Sequence, residues 1–262
     1  MSNLFKIKNL KRYYEINRGL LKKPTIIKAV NNIDFTINKG EVFSIVGESG
    51  CGKSTIAKLL MIIEKPTGGE ILFEGKDVTK FNNQELKEYR KRVQIIFQDP
   101  YSSLNPRWKV GTIIAEPLKL NSDLTSKEIK TEVLSIMKKV GLQEDWYGRY
   151  PHQFSGGQRQ RIGIARALIL KPEVIICDEP VSALDVSIQA QVLNLLLDLQ
   201  KEFNLTYVFI SHDLGVVEHI SDRITIMYFG EIVESNNVDK IFSNPQHNYT
   251  KTLLNAIPTI DF

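Results

Sequence analysis

The feature that most constrains this sequence is a glycine-rich run in its first quarter, Gly47-Glu48-Ser49-Gly50-Cys51-Gly52-Lys53-Ser54-Thr55. The run fits the pattern G-x-x-x-x-G-K-S, follows the apolar segment Val42–Val46 and precedes a stretch with helical periodicity. Glycines here let the backbone curl so that successive N–H groups face phosphate oxygens, and a helix start adds its positive dipole end. The lysine reaches the β- and γ-phosphates, and the serine hydroxyl is offered to Mg²⁺. The sequence therefore predicts a nucleotide site that includes Lys53 and Ser54.

A second candidate site follows the apolar run Val174–Cys177, which leads into two acids, Asp178 and Glu179. Lys171-Pro172 interrupts the preceding helical pattern, because proline lacks the N–H that a helix interior needs. A carboxylate at the carboxyl end of such a strand can hold Mg²⁺ directly or through water, and we expect Asp178 to do so. Glu179 is expected to accept a hydrogen bond from the water that attacks the γ-phosphate.

Between these two sites lies the run Phe154-Ser155-Gly156-Gly157-Gln158, which leads into another helical pattern. Two glycines that open a helix make an anion-binding N-terminus, and the Ser155 hydroxyl adds a donor. A single nucleotide does not need two phosphate-binding helix starts. We therefore expect the second helix start to serve a nucleotide held by another subunit.

The hydrophobic pattern predicts an α/β fold. Apolar runs typical of buried parallel strands lie at Val42–Val46, Val93–Phe97, Val174–Cys177, Thr206–Ile210 and Arg223–Met227. Helical patterns with a 3.6-residue period alternate with them, notably over 126–140 and 187–203. Thr125 and Glu128 have the spacing of a capping box before the first of these helices. Residues 99–165 show helical periodicity and no convincing strand, which indicates a helical insertion into the sheet domain.

Composition is that of a globular chain. The 262 residues are 42% hydrophobic and 24% charged, which excludes a disordered chain, and a net charge of +4 is too small to indicate a nucleic-acid partner. Two cysteines suit a reducing compartment, and no apolar stretch reaches the length of a membrane span, so we expect a soluble intracellular chain. The basic segment 15–25, which contains Gly19 and Pro24, is predicted to be a surface loop between two short strands.

The order and spacing of these motifs resemble those of the ATP-binding subunits of ABC transporters, and the resemblance covers about Phe5 to Pro258. The motifs that carry it are Walker A at Gly47–Thr55, the Q-loop glutamine Gln98, the signature motif at Phe154–Gln158, Walker B with its catalytic glutamate at Val174–Glu179, the D-loop at Ser182–Asp185 and the switch histidine His212. Tyr13 is the best match to the aromatic residue that stacks on adenine, and Tyr14 beside it is the alternative.

The resemblance implies a P-loop NTPase (RecA-like) α/β fold: a mostly parallel sheet core, an antiparallel N-terminal β part and a helical insertion subdomain. It implies a nucleotide-binding core in two parts, 1–98 and 166–230, a helical subdomain at 99–165 and a short C-terminal segment at 231–262. The implied catalytic residues are Glu179, His212, Gln98 and Lys53. The implied nucleotide contacts are Tyr13, Gly47, Glu48, Ser49, Gly50, Cys51, Gly52, Lys53, Ser54 and Thr55. The implied Mg²⁺ ligands are Ser54, Gln98 and Asp178, and the implied contacts to the ATP of a partner subunit are Ser155, Gly156, Gly157 and Gln158, with Asp185 in the D-loop.

Three segments, Gln98–Arg107, Asp178–Val192 and Asn244–Lys251, resemble one subgroup more closely, the second ATPase of oligopeptide and dipeptide importers. Nickel and metallophore importers share much of this pattern, so they stay an alternative. The resemblance implies ATP and Mg²⁺ as ligands and a related but non-identical ATPase as partner. It also implies two permease subunits, indirect contact with an extracellular substrate-binding protein, no nucleic-acid partner and a peripheral position on the cytoplasmic face of the cell membrane.

Two other functional classes explain the sequence less well. A soluble ABC-type ATPase acting on DNA or ribosomes usually carries a long coiled-coil insertion or two cassettes, whereas this sequence has one compact cassette and no heptad run. A small P-loop kinase leaves Ser155–Gln158 unexplained.

Within the phosphate loop, Lys53 is expected to lower the pKa of the Cys51 thiol, which would make alkylation of Cys51 a way to block ATP binding.

Overall fold

The computed structural model describes residues 3–16, 24–99 and 101–256. Its strands are β1 Asn3–Ile16, β2 Thr25–Asn38, β3 Val42–Val46, β4 Gly68–Phe73, β5 Lys76–Asp77, β6 Val93–Ile96, β7 Val174–Asp178, β8 Thr206–Ser211, β9 Arg223–Tyr228 and β10 Glu231–Asn237. Its helices are α1 Lys53–Leu60, α2 Asn83–Arg92, α3 Val110–Asn121, α4 Ser126–Lys139, α5 Gly156–Leu168, α6 Val186–Phe203, α7 Leu214–Ile220, α8 Val238–Ser243 and α9 Asn248–Asn255.

The chain divides into two compact units, and the first consists of the described residues up to Lys87 and from Thr206 onward. One of its sheets is antiparallel throughout and has the strand order β2-β1-β4-β5. In its other sheet, β3 pairs in parallel with β8 and β9, and β10 pairs antiparallel with β9. β3 and β8 are buried at every residue, as expected for parallel strands covered on both faces.

The register of this sheet determines which motifs meet at its edge. Val46, the last residue of β3, pairs with Ser211, the last residue of β8. The phosphate loop and His212 therefore leave two neighbouring strands at the same carboxyl edge, which is where open α/β sheets bind their ligands.

The second unit, Glu88–Leu205, contains the parallel pair β6 and β7 and most of the long helices. Ile96 of β6 pairs with Cys177 of β7, so Gln98 and Glu179 each follow a neighbouring strand end. Helices α3, α4 and α5 pack against one another, and α6 packs on α5. Between residues 101 and 155 the described chain is helical or irregular and has no strand, as the sequence predicted.

The predicted strands and helices are confirmed, most of them to within one residue at each end. The capping box of α4 is also confirmed: the Glu128 N–H donates to Thr125 Oγ1, and Glu128 Oε2 accepts from the Thr125 N–H at 2.8 Å. In the described part of the chain, no helix combines the length and the hydropathy needed to cross a membrane.

The predicted surface loop at 15–25 is wrong at its ends. Glu15 and Ile16 belong to β1 and Thr25 begins β2, and Ile16 pairs with Thr25 across the hairpin. Both strands are 14 residues long rather than short, because β1 and β2 stay hydrogen-bonded to each other into the ends of the basic segment. Residues 17–23 of the predicted loop lie outside the described residues.

Candidate functional site

The phosphate loop connects β3 to α1 and depends on glycine at two positions. Gly50 and Gly52 have φ values of 82° and 113°, which lie in the left-handed region that glycine adopts without strain. A Cβ atom on Gly52 would lie 2.0 Å from the Ala29 carbonyl oxygen, so no side chain fits there. Gly52 also precedes α1, and the start of a helix favours an anion because of the positive end of the helix dipole.

Lys53 lies at the centre of this loop with only 4% of its surface exposed. Its Nζ donates to the carbonyl oxygens of Gly47 at 2.6 Å and Glu48 at 2.8 Å, which draws the loop around the ammonium group. The contact to Cys51 Sγ is long, at 4.0 Å, and sulfur is a weak acceptor. An ammonium group has three donors, so Lys53 can keep both carbonyls and turn the third donor to a phosphate oxygen.

The phosphate loop is also contacted by residues that the sequence did not assign to the site. The Gly230 N–H donates to the Cys51 carbonyl at 2.9 Å, and the Glu48 N–H donates to the Tyr249 hydroxyl at 3.3 Å. A Cβ on Gly47 would lie 2.2 Å from the Met227 carbonyl oxygen, which shows how closely β9 approaches the loop. The only sequence signal for Tyr249 was its position in the tail motif Asn244–Lys251.

Lys53 acts on the pKa of the Cys51 thiol in the predicted direction, but the expected net lowering of that pKa is wrong. Burial raises the pKa of Cys51 above its ordinary value, and the charge on Lys53 offsets this only in part. Cys51 is 7% exposed, so its thiol is both protonated and shielded. The structure therefore argues against selective alkylation of Cys51.

Gln98 and Glu179, which are 81 residues apart in sequence, meet in the second unit. Gln98 Nε2 donates to Glu179 Oε2 at 2.9 Å. Glu179 is 9% exposed and has a φ of 48°, a left-handed conformation that non-glycine residues rarely adopt. Its carbonyl oxygen accepts from the Ser182 N–H and hydroxyl, and this turn fixes the direction of the carboxylate.

Ser54, Gln98 and Asp178, the predicted ligands of Mg²⁺, fit that ion chemically. They offer a hydroxyl, an amide oxygen and a carboxylate, and oxygen atoms are the ligands that Mg²⁺ prefers. Ser54 lies in the first turn of α1, and Asp178 is the last residue of β7. Among the described residues, His, Cys, Asp and Glu form no cluster of three that could hold a metal.

The signature residues form a capped helix start. The Gln158 N–H donates to Ser155 Oγ at 3.3 Å, and Gln158 Oε1 accepts from the Ser155 N–H at 3.0 Å. This capping box occupies one N–H of the first turn of α5 and leaves those of Gly156 and Gly157 without an acceptor inside the helix. A Cβ on Gly157 would lie 2.4 Å from Ile188 Cγ2, so this glycine allows α5 and α6 to pack closely.

Two further predicted site residues are exposed. His212 follows β8 directly, and Asp185 precedes α6. Val186, next to Asp185, is 82% exposed, an unusual fraction for a valine. Exposure at these positions is compatible with contact to a partner chain or a nucleotide, and their roles stay predictions.

Tyr13 and Tyr14 are both half-buried, and each hydroxyl makes a hydrogen bond. Tyr13 donates to Asn31 Oδ1 at 2.6 Å, whereas Tyr14 donates to Glu64 Oε2 at 2.5 Å. The Arg12 guanidinium lies 4.5 Å from the centre of the Tyr14 ring, and Lys28 Nζ lies 5.6 Å from that of Tyr13. The assignment of Tyr13 to the adenine ring stays a prediction.

A strand, a glycine loop around a buried lysine and a following helix define the class of P-loop nucleotide-binding proteins. A family model described as ABC transporter matches residues 30–182, and one described as oligopeptide/dipeptide transporter, C-terminal region matches residues 233–262. The chain belongs to the ABC transporter family, of which it is an ATP-binding, ATP-hydrolysing subunit.

Several curated proteins are similar over nearly the whole chain. The dipeptide transport ATP-binding protein DppF of Haemophilus influenzae is 54% identical over 96% of this chain and 77% of its own length. The oligopeptide transport ATP-binding protein AppF of Bacillus subtilis is 51% identical over 97% of this chain and 78% of its own.

Solved structures agree on the fold. The cbiO1 protein of Clostridium perfringens, part of an ABC transporter complex, superposes with a TM-score of 0.80 at 28% identity, over 93% of this chain and 92% of that one. A dimeric ATP-binding cassette in a post-hydrolysis state, bound to ADP and Pi, superposes with a TM-score of 0.79 at 31% identity, over 89% of this chain and 98% of that one. The predicted α/β fold with its antiparallel N-terminal sheet and helical part is confirmed.

Proposed function

We propose that this chain is the motor subunit of an importer for dipeptides or oligopeptides. The observation that carries the proposal is the match of residues 233–262 to the C-terminal region of oligopeptide/dipeptide transporters. The names of DppF and AppF, which match almost the whole chain, support the same cargo.

In this proposal Lys53 and the N–H groups at the start of α1 bind the β- and γ-phosphates of ATP. Ser54, Asp178 and Gln98 hold Mg²⁺, which supplies positive charge that stabilises the transferring phosphoryl group when it is bound. Glu179 orients or deprotonates the attacking water, and the amide of Gln98 keeps the carboxylate in place. His212 contacts the γ-phosphate from the end of β8.

We further propose that two ATPase chains act head to tail. Each ATP would lie between residues 47–55 of one chain and Ser155, Gly156 and Gly157 of the other. A γ-phosphate that contacts both chains stabilises only their closed arrangement, so hydrolysis lets the pair open. The dimeric cassette that was solved with ADP and Pi supports the pairing of two ATPase chains.

The remaining parts of the proposal concern partners. A related ATPase would complete the pair, and residues 99–165 would contact two permease subunits at the cytoplasmic face of the membrane. A substrate-binding protein outside the cell would select the cargo.

Uptake by the assembled transporter tests the cargo. The chain is co-expressed with two permeases, a second ATPase and a substrate-binding protein of a peptide importer, and uptake of a labelled dipeptide, a labelled pentapeptide and ⁶³Ni²⁺ is measured with wild type and Lys53→Ala. We expect peptide uptake that Lys53→Ala abolishes and no nickel uptake. Lysine-dependent nickel uptake without peptide uptake would contradict the proposal.

A further inference from the structure

One peptide unit of the phosphate loop, the Gly47–Glu48 peptide, is held from both sides. Lys53 Nζ donates to its carbonyl oxygen at 2.6 Å, and its N–H donates to the Tyr249 hydroxyl at 3.3 Å. The two contacts polarise the same amide in the same direction, so each strengthens the other. Tyr249 is 201 residues away in sequence and belongs to none of the motifs assigned to ATP.

The Tyr249 ring is held in place by aromatic packing and by a helix cap. Its centre lies 4.1 Å from that of Tyr228, at the end of β9, and Tyr228 contacts Phe229 edge to face at 4.5 Å. Tyr228 and Phe229 also line a small open depression of about 80 Å³ together with residues 48–51. The Tyr249 N–H donates to Nδ1 of His247, which caps α9. The hydroxyl therefore reaches the loop from a fixed position.

The segment that leads into α9 is in turn tied to β10 by one carboxylate. Glu234 accepts the N–H of Gln246 at 2.9 Å through Oε1 and the N–H of His247 at 3.0 Å through Oε2. Glu234 and Tyr249 both lie in the region that matches oligopeptide/dipeptide transporters, residues 233–262. This region thus has a continuous set of contacts that begins at Glu234 and ends at the phosphate loop.

We propose that Tyr249 is a positioning residue for ATP binding: its hydroxyl, held by β10 and α9, fixes the Gly47–Glu48 peptide so that Lys53 meets the phosphates in the right place. The inference rests on the proposed role of the loop and of Lys53. It gives the C-terminal segment a part in nucleotide binding that its sequence does not reveal.

Tyr249→Phe in the full chain tests the proposal, because it removes the hydroxyl and keeps the ring on Tyr228. We expect the Kd for ATP to rise about two- to tenfold, the range of one hydrogen bond. We also expect hydrogen exchange at the Glu48 amide to accelerate, while the melting temperature stays unchanged. The matched control is Tyr147→Phe, which removes a hydroxyl from a half-buried tyrosine of the second unit. An unchanged Kd and an unchanged Glu48 exchange rate, or equal effects in the control, would overturn the proposal.

Glu234→Ala removes the carboxylate that holds the segment before α9 and leaves the phosphate loop itself unchanged. If the carboxylate acts through Tyr249, the Kd for ATP rises in this variant too, and adding Tyr249→Phe raises it little further. Fully additive effects would refute the coupling. Failure of the wild-type chain to bind ATP would instead refute the proposed function, and the Glu48 exchange rates in wild type and Tyr249→Phe would still decide whether the contact positions the loop.

Discussion

Glu179, which is proposed to act on the attacking water, has an uncommon backbone conformation. Its φ of 48° costs about 1–3 kcal/mol for a residue with a side chain, and such a conformation persists only when the surroundings enforce it. Here Ser182 holds its carbonyl oxygen and Gln98 holds its carboxylate. Strained residues of this kind concentrate at active sites, which supports the role assigned to Glu179.

The two tyrosines of β1 provide a matched pair for testing the adenine contact. Tyr13→Ala is expected to weaken ATP binding by the loss of one stacking interaction, about 1–3 kcal/mol. Tyr14→Ala removes an equal ring, and with it the hydrogen bond to Glu64, and is expected to leave the affinity within about twofold. Titration of each variant with ATP measures the two affinities. A loss of affinity in Tyr14→Ala alone would move the assignment to Tyr14.

Single residues also show where sequence reasoning stops. The spacing of Lys53 and Ser54 was enough to locate the phosphate loop, because the pattern itself encodes the backbone geometry. The pKa of Cys51 was predicted in the wrong direction, because neighbours in sequence reveal charge and say nothing about burial. In this loop burial outweighs the charge on Lys53.

At the scale of elements, the close packing of α5 on α6 depends on one glycine of the signature motif. Gly157→Ala would place its Cβ 2.4 Å from Ile188 Cγ2, and overpacking of this kind costs about 1–3 kcal/mol. Gly156→Ala is the control, since its Cβ would lie 3.3 Å from Leu184 Cδ2. Urea unfolding is expected to show a clearly larger loss of stability for Gly157→Ala, and equal losses would contradict the packing role.

The connection between β10 and α9 is expected to depend on pH. Burial by itself raises the pKa of Glu234, but the hydrogen bonds to its carboxylate outweigh burial and lower it below the usual range. A lowered pKa means that the carboxylate stabilises the fold above its unfolded-state pKa of about 4.3 and that this contribution disappears as pH falls through the folded-state pKa. Urea unfolding of wild type and Glu234→Gln is expected to differ at pH 7, and the difference is expected to shrink progressively as pH falls below the unfolded-state pKa. A difference that stays constant with pH would refute this.

Elements with a strong local pattern were predictable from sequence. Apolar runs revealed β3, β7 and β8, and Thr125 with Glu128 revealed the start of α4. The length of β1 and β2 was not predictable, because their outer halves show no regular alternation of apolar and polar residues and the pairing contains bulges, for example between Arg12 and Tyr13. The contact of α9 with the phosphate loop is set by tertiary packing alone and has no local signal.

For the whole molecule, the candidate site residues are distributed over the two units. The first carries the phosphate loop, His212 and the C-terminal segment, and the second carries Gln98, Glu179 and the signature helix. The proposed roles account for two glycine-rich helix starts in one chain: one is proposed to serve the chain's own ATP, and the other that of a partner. Binding and hydrolysis are then separable functions of different residues.

The separation of ATP binding from hydrolysis is tested most directly by measuring ATP binding and phosphate release in one preparation of the assembled transporter. Glu179→Gln is expected to bind ATP like wild type and to lose about 10²- to 10⁴-fold in turnover, roughly 3–5 kcal/mol of barrier, because the amide cannot accept the proton of the attacking water. Lys53→Ala serves as the control and is expected to lose binding itself. Near-normal phosphate release by Glu179→Gln would contradict the account.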